Sequence, residues 1–192
     1  QSPYRILDTI VVSQGATLTI EPGVDLFFDD GTGITINDAT LVADGSALDP
    51  IVFQNLNVGG VSGLITFNDN SVDVQFNVNQ YSSGSILRHL EVNNGGRVNN
   101  VNDRTQGVIQ LENAAPYVDH VTINNAHGAA VRVNNLQSTA VKLDNLTINS
   151  AYRYGIYVYR SRVMIDSLTI DSLLDIGTSN RAALFAKSTT AS

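Results

Sequence analysis

Apolar and polar residues alternate along most of this chain in short stretches with a period of two. Gly, Asn, Asp and Ser separate these stretches, and the 3.6-residue period of an amphipathic helix is nearly absent. Representative alternating stretches are residues 17–20, 34–36, 131–133 and 156–158. The pattern predicts an all-β protein built from many short strands that are joined by polar corners.

Four segments from residue 86 onward share one pattern of aliphatic and polar residues. They are residues 86–94, 117–125, 142–150 and 164–172. If His89, His120, Asn145 and Ser167 are taken as equivalent, the steps between them are 31, 25 and 22 residues. A second strand repeats between these segments, at residues 108–111, 129–133, 156–159 and 183–187. Repeats of this length are typical of solenoids.

The amino-terminal third repeats with a similar step. Ile10 corresponds to Ile34, Leu18 to Leu41 and Leu26 to Ile51, which gives intervals of 24, 23 and 25 residues. Three short strands per step predict a right-handed parallel β-helix of about seven coils, with aliphatic side chains stacked inside. An antiparallel sandwich does not need such self-similar segments, because its strands occupy inequivalent positions.

Two columns of polar residues are expected at the corners of the coils. Side chains of this kind can hydrogen-bond along the axis of a stack, and Asn tolerates left-handed backbone conformations. The first column is His89, His120, Asn145 and Ser167, and the second is Asn93, Asn124, Asn149 and Asp171. Both are interpreted as structural ladders. Asn145 also begins a formal glycosylation sequon, Asn145-Leu-Thr147, which is interpreted as coincidental to its ladder role.

The opening coils carry a resemblance to a known superfold. Residues 8–23 (DTIVVSQGATLTIEPG) and 41–53 (LVADGSALDPIVF) resemble the first coils of secreted β-helix proteins of the pectin-lyase-like superfold. Residues 155–170 are similar to the generic parallel β-helix repeat. The opening also resembles bacterial cell-surface repeat proteins and the ectodomain of an animal cell-junction protein of the bark beetle type. The resemblance implies a fold, and an extracellular or cell-surface location, but no single function, because this scaffold carries enzymes, adhesins and stalks.

Composition and charge narrow the classes of partner. The chain has 192 residues, 43% hydrophobic and 15% charged, with no apolar run long enough to span a bilayer, so membrane insertion is not expected. Its net charge is −7 and no basic stripe gathers on any segment, which argues against nucleic acid. We expect one domain: a cap and first coils (1–56), coils with long loops (57–106) and regular repeats (107–192), as a fragment of a longer chain.

Carboxylates are the first candidate chemistry. Asp119, Asp144 and Asp166 share one repeat position and should form a vertical column, with Arg88 one coil earlier. Such a column either binds calcium or is solvated and partnered by arginine, and the second interpretation is favoured. His89 and His120 would stack in adjacent coils. A metal pair is the alternative to their ladder role, and no resident cofactor is expected.

The segment 151–162 (AYRYGIYVYRSR) is the most distinctive surface of the sequence. Ile156 and Val158 alternate inward, so Tyr157 and Tyr159 are expected to face solvent. Arg132 would lie on an adjacent coil, and Arg160 and Arg162 at the following corner. Aromatic rings beside arginines are typical of surfaces that bind sugars or protein partners. The alternative is that these tyrosines only decorate an outer sheet.

These observations favour a non-catalytic adhesive or binding module that contacts a glycan or a cell-surface protein. No Ser-His-Asp arrangement, cysteine nucleophile or phosphate-binding loop occurs in the sequence. The competing class is a polysaccharide lyase or glycoside hydrolase, which would need clustered acids and a basic residue converging on one groove. A third class is a structural unit that associates end to end.

Overall fold

Strands account for all the regular secondary structure in the described part of the chain. The structure, a computed structural model, describes residues 2–56, 64–96, 106–174 and 181–188. Within these ranges, the strands are β1 (Tyr4–Ile6), β2 (Ile10–Val12), β3 (Thr17–Ile20), β4 (Asp25–Phe28), β5 (Gly33–Ile36), β6 (Thr40–Asp44), β7 (Ile51–Asn55), β8 (Leu64–Phe67), β9 (Gln75–Asn77), β10 (Gln80–Ser83), β11 (Ile86–Asn93), β12 (Gly107–Glu112), β13 (Tyr117–Asn124), β14 (Ala129–Asn134), β15 (Val141–Tyr152), β16 (Tyr154–Tyr159), β17 (Val163–Leu174) and β18 (Ala182–Lys187). A search of those residues for a membrane-crossing helix found none.

Two parallel sheets form the walls of a solenoid. Sheet A has the order β1-β4-β7-β11-β13-β15-β17, and the pair β3-β6 joins it at β11. Sheet B has the order β2-β5-β8-β12-β14-β16-β18. Each strand therefore pairs with the strand one coil earlier and one coil later, and apart from the hairpin of β9 and β10, all of this pairing is parallel. The expected parallel β-helix is confirmed.

Each complete coil contributes three strands, two to sheet A and one to sheet B. In the later coils, the two strands of sheet A run together as one continuous strand. Residues 86–88 of β11 pair with β6, whereas residues 90–93 pair with β7. β11 therefore contains two strands that meet at His89, where φ is +47°. The described residues make seven coils, the first of them partial because it contributes only β1 and β2.

The register of the first coils departs from the predicted one at a single point. Ile10 pairs with Ile34 and Leu18 with Leu41, as expected, but Leu26 pairs with Phe53. The predicted equivalence of Leu26 and Ile51 is therefore wrong by two residues. The corner between β6 and β7 is longer than the corner between β3 and β4, so counting residues along the chain misplaces the next strand.

Stacked aliphatic side chains fill the space between the sheets. One column contains Ile34, Ile65, Ile109, Val131 and Ile156, all at most 1% exposed and joined by the register of sheet B. Phe28 and Phe53 make an edge-on contact at 5.4 Å between ring centroids. Each such side chain contributes roughly 1.5–3 kcal/mol by leaving water, so the alternating pattern fixes which face turns inward.

The segment expected to carry long loops (57–106) contains several strands. Residues 57–106 are expected to be coils with long loops, and β8 in this segment is a core strand of sheet B between β5 and β12. Strands β9 and β10 form an antiparallel hairpin whose turn residues Val78 and Asn79 both have positive φ. Phe76 of this hairpin packs edge-on against Tyr117 at 5.2 Å. Residues 57–63 and 97–105 of this segment lie outside the described residues.

Candidate functional site

The corner between the two strands of sheet A carries the first predicted column. His89, His120, Asn145 and Ser167 have φ values of +47°, +51°, +48° and +59°, so all four adopt the left-handed conformation. Asn and His adopt this conformation more often than most other residues, which suits three of the four to this corner. The two imidazole rings stack in a tilted arrangement with 4.7 Å between centroids. This column lines one wall of a trough.

Backbone geometry at the second corner differs by one residue from the sequence interpretation. Asn124 donates from Nδ2 to Asn93 Oδ1 at 2.8 Å, and Asn149 donates to Asn124 Oδ1 at 2.5 Å. The left-handed conformation, however, falls on the next residues, Asn94 and Asn125, at +57° and +56°. Asn125 Nδ2 donates to Asn94 Oδ1 at 3.0 Å, so a second ladder runs beside the first.

The fourth member of the second column stands apart from this ladder. Asp171 is exposed in β17 and makes no side-chain hydrogen bond to another described residue. Ser172 instead donates from Oγ to the backbone oxygen of Asn149 at 3.0 Å. The amide ladder therefore ends at Asn149.

The trough at the first corner has a volume of about 450 Å³ and is mostly polar. Its lining comprises Ala47, His89, His120, Thr122, Asn145, Leu146, Thr147, Ser167 and Thr169. The threonines are register partners in successive coils, so their side chains recur at about the strand spacing of 4.8 Å. The trough therefore offers hydroxyl, amide and imidazole groups along the solenoid axis.

A carboxylate orients one of the two imidazoles in this trough. His120 Nδ1 lies 2.7 Å from Asp119 Oδ1, and Asn145 Nδ2 donates to the same oxygen at 3.0 Å. The Asp119 side chain is 10% exposed, whereas that of His120 is 50% exposed. The amide nitrogen of Asn145 therefore bonds to Asp119 instead of to another member of its own column. Burial, followed by the neighbouring charge of His120, lowers the pKa of His89.

The predicted acidic column exists, and it is longer than predicted. Register places Asp119, Asp144 and Asp166 on adjacent strands, with Arg88 one coil earlier and Asp44 one coil before that. Arg88 donates from Nε and Nη2 to the two carboxylate oxygens of Asp44, both at 2.7 Å. This bidentate pair holds the guanidinium toward the amino-terminal side of the column.

Lys142 and Tyr117 hold Asp144, the most buried member of the acidic column. Lys142 Nζ lies 2.7 Å from Asp144 Oδ2, and the hydroxyl of Tyr117 donates to that oxygen at 3.0 Å. Burial, and then the bond to Asp144, raise the pKa of Tyr117. Lys142 also lies over the rings of Phe76 and Tyr117, at 5.3 and 5.2 Å. Asp166, by contrast, is exposed.

Within the described ranges, no group of three or more acidic, histidine or cysteine side chains is arranged to hold a metal ion. Asp119 and Asp144 each have their own donors, which relieve the repulsion that motivated the calcium alternative. Both carboxylates therefore accept hydrogen bonds from side chains beside them.

The outer face of sheet B brings Arg132, Tyr157 and Phe185 into one row of register partners. The rings of Tyr157 and Phe185 stack at 5.2 Å with an interplanar angle of 12°. The guanidinium carbon of Arg132 lies 5.8 Å from the centroid of the Tyr157 ring. Both faces of the Tyr157 ring therefore have a neighbour, and this half-buried ring has little face left on which a sugar could stack.

Tyr154, which the sequence interpretation left out, lies at the centre of the same cluster. The residue is 3% exposed, and the centroid of its ring lies 5.3 Å from that of Tyr157 and 5.2 Å from that of Phe185. Tyr154 and Ile156 are two residues apart, so strict alternation places both side chains inward. The pattern therefore did not predict the contacts of Tyr154 with Tyr157 and Phe185. Phe185 was also missed, because it comes from the strand that repeats most weakly. No local signal in the sequence identified either residue.

A cationic cleft of about 360 Å³ lies at the corner that follows β16. Its lining includes Arg160, Arg162 and Lys187, together with Ser161 and Gln137. None of the three cations forms an ion pair with a described residue. Tyr159 is the register partner of Lys187, and no aromatic ring or cation of the described residues covers its ring. Lys187 is the member that the sequence interpretation missed.

Comparison of the chain with protein-family models, with curated proteins and with solved structures found no match. The functional argument therefore depends on the described geometry and on the sequence resemblance alone.

Proposed function

We propose that this chain is a non-catalytic β-helix binding module of the pectin-lyase-like superfold, from a secreted or cell-surface protein, and that it binds an acidic glycan. The parallel coils agree with the superfold that the opening residues resemble. The location and the ligand are inferences from that resemblance and from the surface described above.

The observation that carries this proposal is the cleft of Arg160, Arg162 and Lys187. Cations without a carboxylate partner repel one another, and a chain of net charge −7 has ample acid with which to pair them. Guanidinium groups bind carboxylates and sulfates through paired hydrogen bonds. An anionic ligand would relieve the repulsion, and the half-buried ring of Tyr159, next to Lys187 in the sheet, would supply a surface for a sugar.

The predicted contact residues thus divide into two groups. Arg160 and Arg162 line the cationic cleft, and Tyr159, the register partner of Lys187 in that lining, belongs with them to the proposed binding surface. Tyr157 and Arg132 belong to the stacked row on the outer face of sheet B. In the proposal they support the strand that carries Tyr159, and they contact the ligand only through exposed edges.

A polysaccharide lyase or glycoside hydrolase remains the competing class. One observation bears on it, since Asp119 and His120 form a carboxylate–imidazole pair that borders a trough. The acidic column is bound to Arg88, Lys142 and Tyr117 instead of converging on the cationic cleft. For that reason the proposal assigns binding, and not cleavage, to this chain.

Binding to immobilised polyuronate, sulfated and neutral polysaccharides tests the proposal. We expect the first two to bind, with an affinity that falls as salt is raised. Arg162→Gln should weaken binding about tenfold, which corresponds to one charge-assisted hydrogen bond. Arg160→Asn should do the same, because Asn tolerates the φ of +48° at that corner. Arg5→Gln is the matched control, since Arg5 is exposed and lies at the other end of the solenoid.

The outcomes separate the alternatives. Retained binding in both cleft variants would place the glycan elsewhere and contradict the proposed surface. Failure to bind any glycan would favour a protein partner. Soluble fragments released from any polysaccharide would overturn the non-catalytic assignment. A sedimentation coefficient that rises with protein concentration would support self-association, for which exposed Met164 and Leu184 are candidate contacts.

A further inference from the structure

Two imidazoles, a half-buried one on His89 and an exposed one on His120, lie side by side in the trough of sheet A. His89 and His120 occupy the same corner of adjacent coils, with nearly equal φ values of +47° and +51°. Because the two backbones have the same conformation, both side chains project in the same direction, and their ring centroids are 4.7 Å apart. Both rings line the trough together with hydroxyl and amide groups. Two imidazole side chains therefore border the same trough.

The ring of His120 is held in the orientation that metal-ligating histidines use. Its Nδ1 lies 2.7 Å from Asp119 Oδ1. An ionised carboxylate only accepts, so Nδ1 donates in this contact, and in the neutral imidazole it is then Nε2 that offers a lone pair. Metal-ligating histidines almost always donate their other ring N–H to a carboxylate, a backbone carbonyl or water.

The orienting carboxylate is itself fixed. Asn145 donates to the same oxygen of Asp119 at 3.0 Å, and the Asp119 side chain is 10% exposed, whereas half of the His120 side chain is exposed. The arrangement thus combines a buried orienting group with an accessible ligand atom. A purely structural ladder does not need this combination, since Ser167 fills the same corner two coils later with no side-chain hydrogen bond to a described residue.

We propose that His89 and His120 together bind one divalent transition-metal ion of the zinc or copper class. Imidazole nitrogen suits these metals, whereas calcium requires oxygen ligands. The trough leaves room for water or for a ligand oxygen to complete the coordination, and the hydroxyl groups of Thr122 and Thr147 lie along the same lining. With two protein ligands, binding is weaker than at a four-ligand structural zinc site. The inference does not depend on the acidic-glycan proposal.

Titration calorimetry with Zn²⁺ and Cu²⁺ on the metal-free chain tests this inference. We expect one ion per chain. The site can be removed without straining the corner, because Asn145 already occupies the equivalent position with φ of +48°. His89→Asn and His120→Asn should each weaken binding at least tenfold. The chain has three histidines and no cysteine, so His127→Phe is the matched control and should bind as the parent does.

Two further measurements separate a metal site from a structural effect. Asp119→Asn should weaken Zn²⁺ binding about tenfold, the range seen when an orienting partner of a ligand is lost. The Cu²⁺ electron paramagnetic resonance spectrum of the unmodified chain should show two coordinated nitrogens. Absence of binding by the parent chain, or an equal loss in His127→Phe, would overturn the inference. Full affinity in both corner variants would do so as well.

Discussion

Asn124 donates a hydrogen bond from Nδ2 to Asn93 Oδ1 at 2.8 Å, although the two residues are 31 positions apart in the sequence. The same nitrogen lies 3.1 Å from Glu91 Oε1, and Asn149 donates to Asn124 Oδ1. One side chain thus joins three successive coils. Each coil is held to the next by polar bonds at this corner as well as by the aliphatic core.

Replacing Asn124 should therefore loosen the stack. Asn124→Ala removes three side-chain hydrogen bonds from a half-buried position, and we expect the free energy of unfolding to fall by about 2 kcal/mol. Denaturation in urea measures the change. Asn77→Ala is the control, because Asn77 is exposed on the hairpin and makes no side-chain hydrogen bond to a described residue; its effect should stay within about 0.5 kcal/mol. Equal effects in both variants would contradict the role of the ladder.

The hairpin turn carries a residue that is poorly suited to its backbone. Val78 has φ of +47° and is 89% exposed, so a β-branched side chain occupies a left-handed position without gaining burial. Two-residue hairpin turns with two positive φ values favour Asn and Gly. Val78→Asn should therefore raise the free energy of unfolding by about 1 kcal/mol. Thermal unfolding followed by circular dichroism tests this, and a lowered Tm would show that Val78 makes a stabilising contact.

Tyr157 and Tyr159 should differ in what they contribute to stability. Neighbouring side chains lie over both faces of the Tyr157 ring, so Tyr157→Ala should lower the free energy of unfolding by about 2 kcal/mol. Tyr159 has no ring neighbour among the described residues, and Tyr159→Ala should cost less than about 1 kcal/mol. Urea denaturation of the two single variants makes the comparison. A larger loss in Tyr159→Ala would mean that the outer row is packed differently.

Acid should destabilise the fold through His127. Burial lowers the pKa of this residue from its ordinary value of 6.5. The unfolded chain therefore takes up a proton at a higher pH than the folded chain does. The stability that His127 contributes is fully present above pH 6.5 and is lost as pH falls through its folded pKa.

The variant His127→Phe isolates this contribution. Phenylalanine keeps a ring against Tyr152, whose own ring stacks on His127 at 5.3 Å, but it cannot take up a proton. We expect the free energy of unfolding of the variant to fall less than that of the parent chain between pH 7 and pH 5. Urea denaturation at a series of pH values measures both slopes. Identical slopes would show that His127 does not contribute to the acid sensitivity.

Sequence alone determined the solenoid, because its aliphatic residues recur at matching intervals and point to one side of each strand. A shift of one residue would turn the whole aliphatic set of a strand to solvent, so the register of the regular repeats was already specified by the pattern. The left-handed corner at His89, His120, Asn145 and Ser167 also followed from local preference. These features involve residues at equivalent positions of successive repeats, and the sequence repeat identifies those positions.

Only the tertiary structure decided the contacts that cross coils between non-repeating residues. The stack of Phe185 on Tyr157 and the pairing of Leu26 with Phe53 depend on corner lengths and strand packing that the local pattern does not encode. The cleft of Arg160, Arg162 and Lys187 is likewise assembled from two coils. Periodicity fixes which way a side chain points. Which charge or ring lies beside it is set by the stacking of coils, where residues distant in sequence meet.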